Sequence, residues 1–235
     1  TAVEIAGPGF INITLKREDF VSTIENINVQ SLNFGSSDHG KDKSVQIEFV
    51  SANPTGPLHV GHGRGAAYGD AIARILKSSG YNVQKEYYIN DAGRQIDILT
   101  ASVLIRIFEE EFLGYFPKNA YKGSYIKDIA ELFKKKHNAN SLEDSKALID
   151  NLPQEEEKEI DELILRIKNK ENIIWGIVKS FALNEVLQTI RTDLKNFNVS
   201  FDNWFSESSL GDISNNDSKI SAAILSLKNT GLAYE

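Results

Sequence analysis

No stretch limits the fold of this chain as much as the run from Val45 to Ile89, which reads as strand, loop, helix and second strand. Val45-Gln46-Ile47-Glu48-Phe49-Val50 is short and apolar-rich, as a strand requires. Ser51-Ala52-Asn53-Pro54-Thr55-Gly56-Pro57 then breaks it with two prolines and a glycine, the punctuation of a loop. A helix is predicted to start around Leu58–His62 and run to Ser79, with Ala66, Ile72, Ile75 and Leu76 on its buried side and Gly80 ending it. A second strand at Val83–Ile89 and a polar loop, Asn90-Asp91-Ala92-Gly93, complete the unit. Strand–helix–strand crossovers build parallel sheets, so the fold class is α/β.

Around this unit the chain changes character. Phe10, Ile11, Ile13 and Leu15 form a strand-like run after the Gly7-Pro8-Gly9 turn, and Asn33–Lys43 is a Gly/Ser/Asp/Lys linker, which suggests a domain boundary near residue 40. From about Gln95 the pattern is helical. Acids at Glu155–Glu159 precede Ile160, Leu163, Ile164 and Ile167 at i, i+3, i+4, i+7. Two further stripes follow, Ile173, Ile174, Ile177, Val178, Phe181 and then Leu183, Val186, Leu187, Ile190, Leu194, each read as core packing. Periodicity is lost near Phe197–Leu210, where Phe201, Trp204 and Phe205 bracket Glu207.

Composition removes several classes. The 235 residues hold no cysteine, which excludes disulfides, thiolate metal sites and a cysteine nucleophile. No apolar run reaches the length of a membrane span, since Arg106 interrupts Val103–Phe108. With 26 basic and 33 acidic residues the net charge is −7, so the chain is a poor candidate for the main anchor of a nucleic acid, which needs clustered Lys and Arg. The densest basic run, Lys134-Lys135-Lys136-His137, reads as an exposed helix end.

Chemistry concentrates at the loop-to-helix junction. A strand end delivers the loop to a helix N-terminus, whose free N–H groups and dipole attract anions. His59 and His62, three apart, share one face of the first turn, while Gly61, Gly63 and Gly65 remove side chains where a phosphorylated ligand would approach. The arrangement suits a nucleotide triphosphate at the carboxyl ends of the strands. On residues alone, a partial metal site lacking a third ligand, or two surface histidines without a role, stay open as alternatives. Arg64, just past His62, reads either as a phosphate or nucleic-acid contact or as part of a solvated face.

These residues also carry a resemblance. Leu58-His59-Val60-Gly61-His62 is similar to the HIGH-type signature of class I aminoacyl-tRNA synthetases. The longer string from Glu48 to His62, with Tyr88-Ile89-Asn90-Asp91-Ala92-Gly93-x-Gln95 and Phe201-Asp202-x-Trp204-Phe205-x-Glu207-Ser208-Ser209-Leu210, resembles the arginyl-tRNA synthetases in particular. The resemblance implies a Rossmann-like class I catalytic domain, here partial, carrying a helical insertion. Residues 1–42 would end an N-terminal extra domain, 43–100 form the first half of the catalytic domain, 101–195 the insertion, and 196–235 the return to the catalytic domain.

It also implies ATP-dependent attachment of arginine to its tRNA through an arginyl-adenylate. His59 and His62 would be catalytic, steadying the phosphates with Pro57 and Gly61. Glu48, Ser51, Asn53, Asp91, Gln95 and Glu207 would hold arginine, Glu48 at the α-ammonium and Glu207 at the guanidinium, which is best met by carboxylates. Asp91 could equally fix its own turn, and Glu207 could equally cap a helix starting near Ser208. Mg²⁺ would arrive with ATP, with no metal held by the protein itself. Unpaired buried acids would reject a substrate lacking the guanidinium by roughly 10⁴–10⁵, so no editing domain is expected. The expected partners are arginine, ATP and tRNA, with no membrane, in a cytoplasmic monomer. Because no KMSKS-like loop occurs, the chain is expected to be a fragment, inactive alone, of an active parent. The competing readings are another HxGH synthetase or nucleotidylyltransferase, or a non-catalytic synthetase-like binding module.

Overall fold

The computed structural model describes residues 2–137, 142, 145–212 and 214–232. The chain divides into two compact units, residues 1–45 with 71–83, and residues 46–70 with 84–235.

The first unit opens on an antiparallel hairpin, β1 (Ala2–Ala6) with β2 (Phe10–Thr14), in register from Ala2↔Thr14 to Ala6↔Phe10. Helix α1 (Arg17–Gln30) follows and buries no residue. The predicted linker is a series of turns. Its Ser37 and Gly40 N–H groups donate to the carbonyls of Ser78 and Ser79 (2.9 and 2.8 Å), and Gly40 lies under the Tyr81 ring.

The second unit carries most of the sheet and the main hydrophobic core. Strands β3 (Ser44–Glu48), β4 (Asn82–Ile89) and β5 (Asn203–Ser206) lie in the order β3-β4-β5, and helix α2 (Val60–Ser78) connects the first two. β4 and β5 are parallel, with Tyr87↔Trp204 and Tyr88↔Phe205 in register. The expected α/β crossover unit is therefore present. Alternation along β4 turns Tyr87 into the core, fully buried, with its ring stacked on Trp204 at 4.4 Å and edge-on to Phe201 at 5.4 Å. Lys85, two residues earlier, ties helix, strand and loop together: its Nζ meets Asp70 at 3.1 Å and the Ser200 hydroxyl at 3.2 Å, and its N–H donates to the Asp202 carboxylate.

Helix α2 differs from expectation in which face it buries. Ala66, Gly69, Asp70 and Ala73 are buried, whereas Ile75 is 65% exposed. Small residues let the helix approach closely, and at Gly69 no side chain fits: an added Cβ would lie 2.2 Å from Phe49 Cγ and 2.7 Å from its Cβ. Gly69→Ala is therefore expected to lower stability by about 1–3 kcal/mol, the usual cost of overpacking, read as a lower urea midpoint at constant m-value.

The helical part begins with α3 (Arg94–Ile107), which is buried on nearly every side and packs against α4 (Ser124–Lys136), α6 (Glu156–Lys170) and α7 (Asn172–Asn196). A short α5 (Ser145–Ile149) lies between α4 and α6, and α8 (Lys219–Asn229) follows β5. In α6 the predicted Ile160, Leu163, Ile164 and Ile167 are the buried residues. The two later stripes prove to be one 25-residue helix, α7, whose buried row is Trp175, Val178, Ala182, Val186, Ile190 and Leu194. Ile173 and Ile177, expected in the core, are exposed because that row turns them outward. The basic run ends α4, where Lys136 pairs with Glu185 at 3.1 Å and sits over Phe181.

Candidate active site

The loop after β3 begins with a strained reversal. Val50 and Ser51 have φ of +65° and +39°, and the Ser51 N–H donates back to the Phe49 carbonyl at 2.9 Å, closing a three-residue turn. A β-branched residue in the left-handed region costs of order 1–3 kcal/mol and persists only where neighbours fix it. Here β4 supplies them: the Tyr88 N–H donates to Ser51 Oγ, and the buried Tyr87 hydroxyl donates to the Ala52 carbonyl, both at 3.0 Å. Burial, against the weaker opposing effect of that bond, pushes the Tyr87 phenol up to about 12, so it stays a donor. Further along, Asn53 Nδ2 donates to Gln95 Oε1 at 2.7 Å, which brings together two of the predicted residues.

The histidines meet at the start of α2. Their rings stack with centroids 3.7 Å apart and planes 16° from parallel. His62 Nδ1 accepts the His59 N–H (3.2 Å), and His59 Nδ1 accepts the Gly61 N–H (3.1 Å). Two of the helix-start N–H groups assigned to a phosphate from sequence are thus occupied by the imidazoles themselves. With both Nδ1 atoms accepting, the proton of each neutral ring resides on Nε2, the atom left to donate to an anion. Gly61 has a steric reason of its own: a Cβ there would lie 2.9 Å from the His59 ring, while Gly63 and Gly65 border open space.

Burial first, and then the charge of His59, lower the His62 pKa from 6.5. Folding therefore favours the neutral ring. Its contribution is complete above pH 6.5 and declines as pH falls toward the folded-state value, where the unfolded chain binds more protons. Ring NMR is expected to place the His62 midpoint below 6.5 without nucleotide, and His59→Ala is expected to raise it; an unmoved midpoint in that variant would contradict the coupling.

The carboxylates gather at the carboxyl ends of the strands. Glu48 is the last residue of β3 and is exposed. Glu207 opens a 3-10 turn (Glu207–Leu210) after β5, and its Oε2 accepts the Tyr88 hydroxyl at 3.0 Å. Desolvation raises the Tyr88 pKa, reinforced by the Glu207 hydrogen bond and by the charges of Glu207, Glu48 and Asp91. Three carboxylates therefore act on one hydroxyl. Asp91 is already engaged: it accepts from the Ser206 hydroxyl (2.5 Å), the Ser208 N–H (2.8 Å) and the Ser208 hydroxyl (3.0 Å). Burial opposes its charge, but these bonds win and lower its pKa. Asp91 thus clamps the end of β4 to the end of β5 and caps the Glu207 turn, more than it fixes its own loop. Glu48 and Glu207 are left facing the site. Pro57 lines a separate cavity of about 280 Å³ with Gly56, Tyr125, Asp128 and Glu185, whose two carboxylates would repel a polyphosphate. Arg64 is exposed.

Tyr88 itself was missed as a site residue from sequence. The signal that finds it is strand register, which sets it opposite Phe205, two residues before Glu207. Among the described residues, no group of three or more His, Asp or Glu side chains is placed to hold a metal ion, and no helix is long and apolar enough to cross a membrane.

A parallel sheet with a His-x-Gly-His helix start after its first strand and acids at its strand ends is the catalytic fold of a class I aminoacyl-tRNA synthetase. Residues 23–235 match the family described as tRNA synthetases class I (R), catalytic domain, and the chain belongs to that family. It is 45% identical over 240 aligned residues to the arginine–tRNA ligase of Thioalkalivibrio sulfidiphilus, covering 99% of this chain and 40% of that protein. Over 223 residues it is 44% identical to the arginine–tRNA ligase of Acidithiobacillus ferrooxidans, covering 93% and 38%. A solved arginyl-tRNA synthetase from Campylobacter jejuni superposes with a TM-score of 0.68 at 29% identity, covering 94% of this chain and 42% of that one. The chain therefore spans about 40% of the length of the curated relatives it matches.

Proposed function

We propose that the protein containing this chain joins L-arginine to its tRNA at the expense of ATP, by way of an arginyl-adenylate. The observation that carries this reading is the convergence of Glu48, Asp91 and Glu207 on Tyr88 at the strand ends, beside a loop that leads into the stacked histidines. A planar guanidinium is matched by a fixed carboxylate, and Glu207, held by Tyr88, takes that part. Glu48 takes the α-ammonium. Ser51, Asn53 and Gln95 shape the pocket wall, with Asp91 fixing the strand ends around it.

The arginine carboxylate attacks the α-phosphate, and pyrophosphate leaves. His59 and His62 donate from Nε2 to phosphate oxygens as charge builds there, without acting as bases; such transfer depends on positioning and electrostatics. Gly61 borders the nucleotide through the first turn of the helix, whereas Pro57, which lines the separate acidic cavity, is left out of that role. Magnesium enters with ATP, its ligands supplied by the phosphates. The arginyl group then passes to the terminal ribose of the tRNA. In this reading residues 1–42 end an N-terminal domain, 43–100 and 196–235 belong to the catalytic domain, and 101–195 are its helical insertion, within a cytoplasmic monomer.

ATP–pyrophosphate exchange by the full-length protein, with arginine and its tRNA, tests the proposal. Arginine-dependent exchange is expected. No exchange, or equal exchange with lysine, refutes it.

A further inference from the structure

The segment Tyr121-Lys122-Gly123-Ser124-Tyr125, at the start of α4, takes no part in the reading above, yet it reaches the loop that leads to the histidines. The Tyr125 hydroxyl donates to the Thr55 carbonyl at 2.7 Å. Its ring occupies space that two glycines leave open. A Cβ on Gly56 would lie 3.0 Å from the hydroxyl oxygen, and one on Gly123 only 2.3 Å from a ring carbon. The ring is thus fitted between the loop and the entry to its own helix.

Resting on the proposed synthetase activity, we propose that Tyr125 is a positioning residue: it fixes the Asn53–Pro57 loop from the helical side and thereby sets where His59 and His62 stand. The other anchors here, the Tyr88 N–H to Ser51 Oγ, the Tyr87 hydroxyl to the Ala52 carbonyl and Asn53 Nδ2 to Gln95 Oε1, all hold residues 51–53, ahead of Thr55. Thr55 lies four residues before His59, so the Tyr125 bond is the anchor nearest the histidines that this set provides. The cavity of about 280 Å³ bordered by Gly56, Pro57 and Tyr125 leaves space into which loop and ring can shift once the bond is lost. Burial, followed by the neighbouring Tyr121, pushes the Tyr125 phenol up to about 12, so the donor persists across the neutral range. Its effect on chemistry is indirect, because it touches a backbone carbonyl and no reacting atom.

The test is Tyr125→Phe in the full-length protein, which keeps the ring and removes the donor. The expected result is a fall in kcat for ATP–pyrophosphate exchange of about tenfold, the scale of one lost hydrogen bond, with KM for arginine within about twofold. The ring NMR signals of His59 and His62 should move, while Tm falls by no more than a few degrees, the scale of one hydrogen bond. Wild-type kcat with unmoved imidazole signals overturns the inference, as does a loss of kcat that only follows a drop in Tm. Gly56→Ala, whose Cβ would lie 3.0 Å from the hydroxyl oxygen and 3.1 Å from Cζ, presses on the ring from the loop side and should move the same signals; unmoved signals in that variant also overturn the inference. Failure of the wild-type protein to exchange at all refutes the synthetase reading instead, and the imidazole signals then decide the positioning role by themselves.

Discussion

His62→Ala in the full-length protein is expected to slow arginyl-adenylate formation by about 10²–10³-fold, the usual consequence of removing one preorganised donor from developing charge. KM for arginine should change little, because the proposed function sets the ring against the nucleotide. The stacked pair makes the two histidines interdependent: each ring accepts a backbone N–H next to the other, and their centroids are 3.7 Å apart. The double variant His59→Ala/His62→Ala should therefore cost much less than the sum of the two single losses. Single-turnover measurement of the adenylate separates this from loss of fold. If either substitution lowers Tm in proportion to activity and leaves the adenylation rate of the folded fraction untouched, the histidines are structural.

Glu207→Gln should act on the other half of the site. It preserves shape and the Tyr88 contact while removing the charge that the proposed function sets against the guanidinium. The expected loss is about 10²–10³-fold in kcat/KM for arginine, matching the 2–5 kcal/mol range for breaking one side of a hydrogen-bonded charge pair. The loss should fall mainly on KM, with pyrophosphate release at saturating arginine changed far less. The Tyr88 phenol should also titrate lower, since the charge of Glu207 is one of the influences that raise it. A kcat effect with constant KM would place Glu207 at the phosphates and contradict its assignment to the guanidinium.

Much of the crossover unit was legible in the sequence, because strand, loop and helix each carry their own local signal. The predicted Val83–Ile89 strand appears as Asn82–Ile89, and the helix ends at Ser78 with Gly80 beyond it at φ +89°. The end of β3 was not legible. Phe49 and Val50 continue an apolar run, and nothing local announces the left-handed turn at Val50, which hydrogen bonds from β4 hold in place. The burial of α2 was misread for a related reason: close packing selects alanine and glycine, and hydropathy alone ranks Ile75 above them. In α7 the small Ala182 joins two stripes that look separate when only large residues are counted. The site divided in the same way. Motif residues were visible in sequence, whereas Tyr87, Tyr88 and Tyr125 act through contacts between residues tens of positions apart.

The two compact units exchange the chain three times, after Val45, after Asp70 and after Val83. No single cut can deliver either unit whole, since β3, α2 and β4 each begin in one and end in the other. Deleting residues 1–45 would leave the Ser78 and Ser79 carbonyls without the N–H groups of Ser37 and Gly40, and the Tyr81 ring without the glycine beneath it. For anyone engineering or evolving this protein, the N-terminal region is thus not a detachable module: swaps with relatives have to carry residues 71–83 along with it.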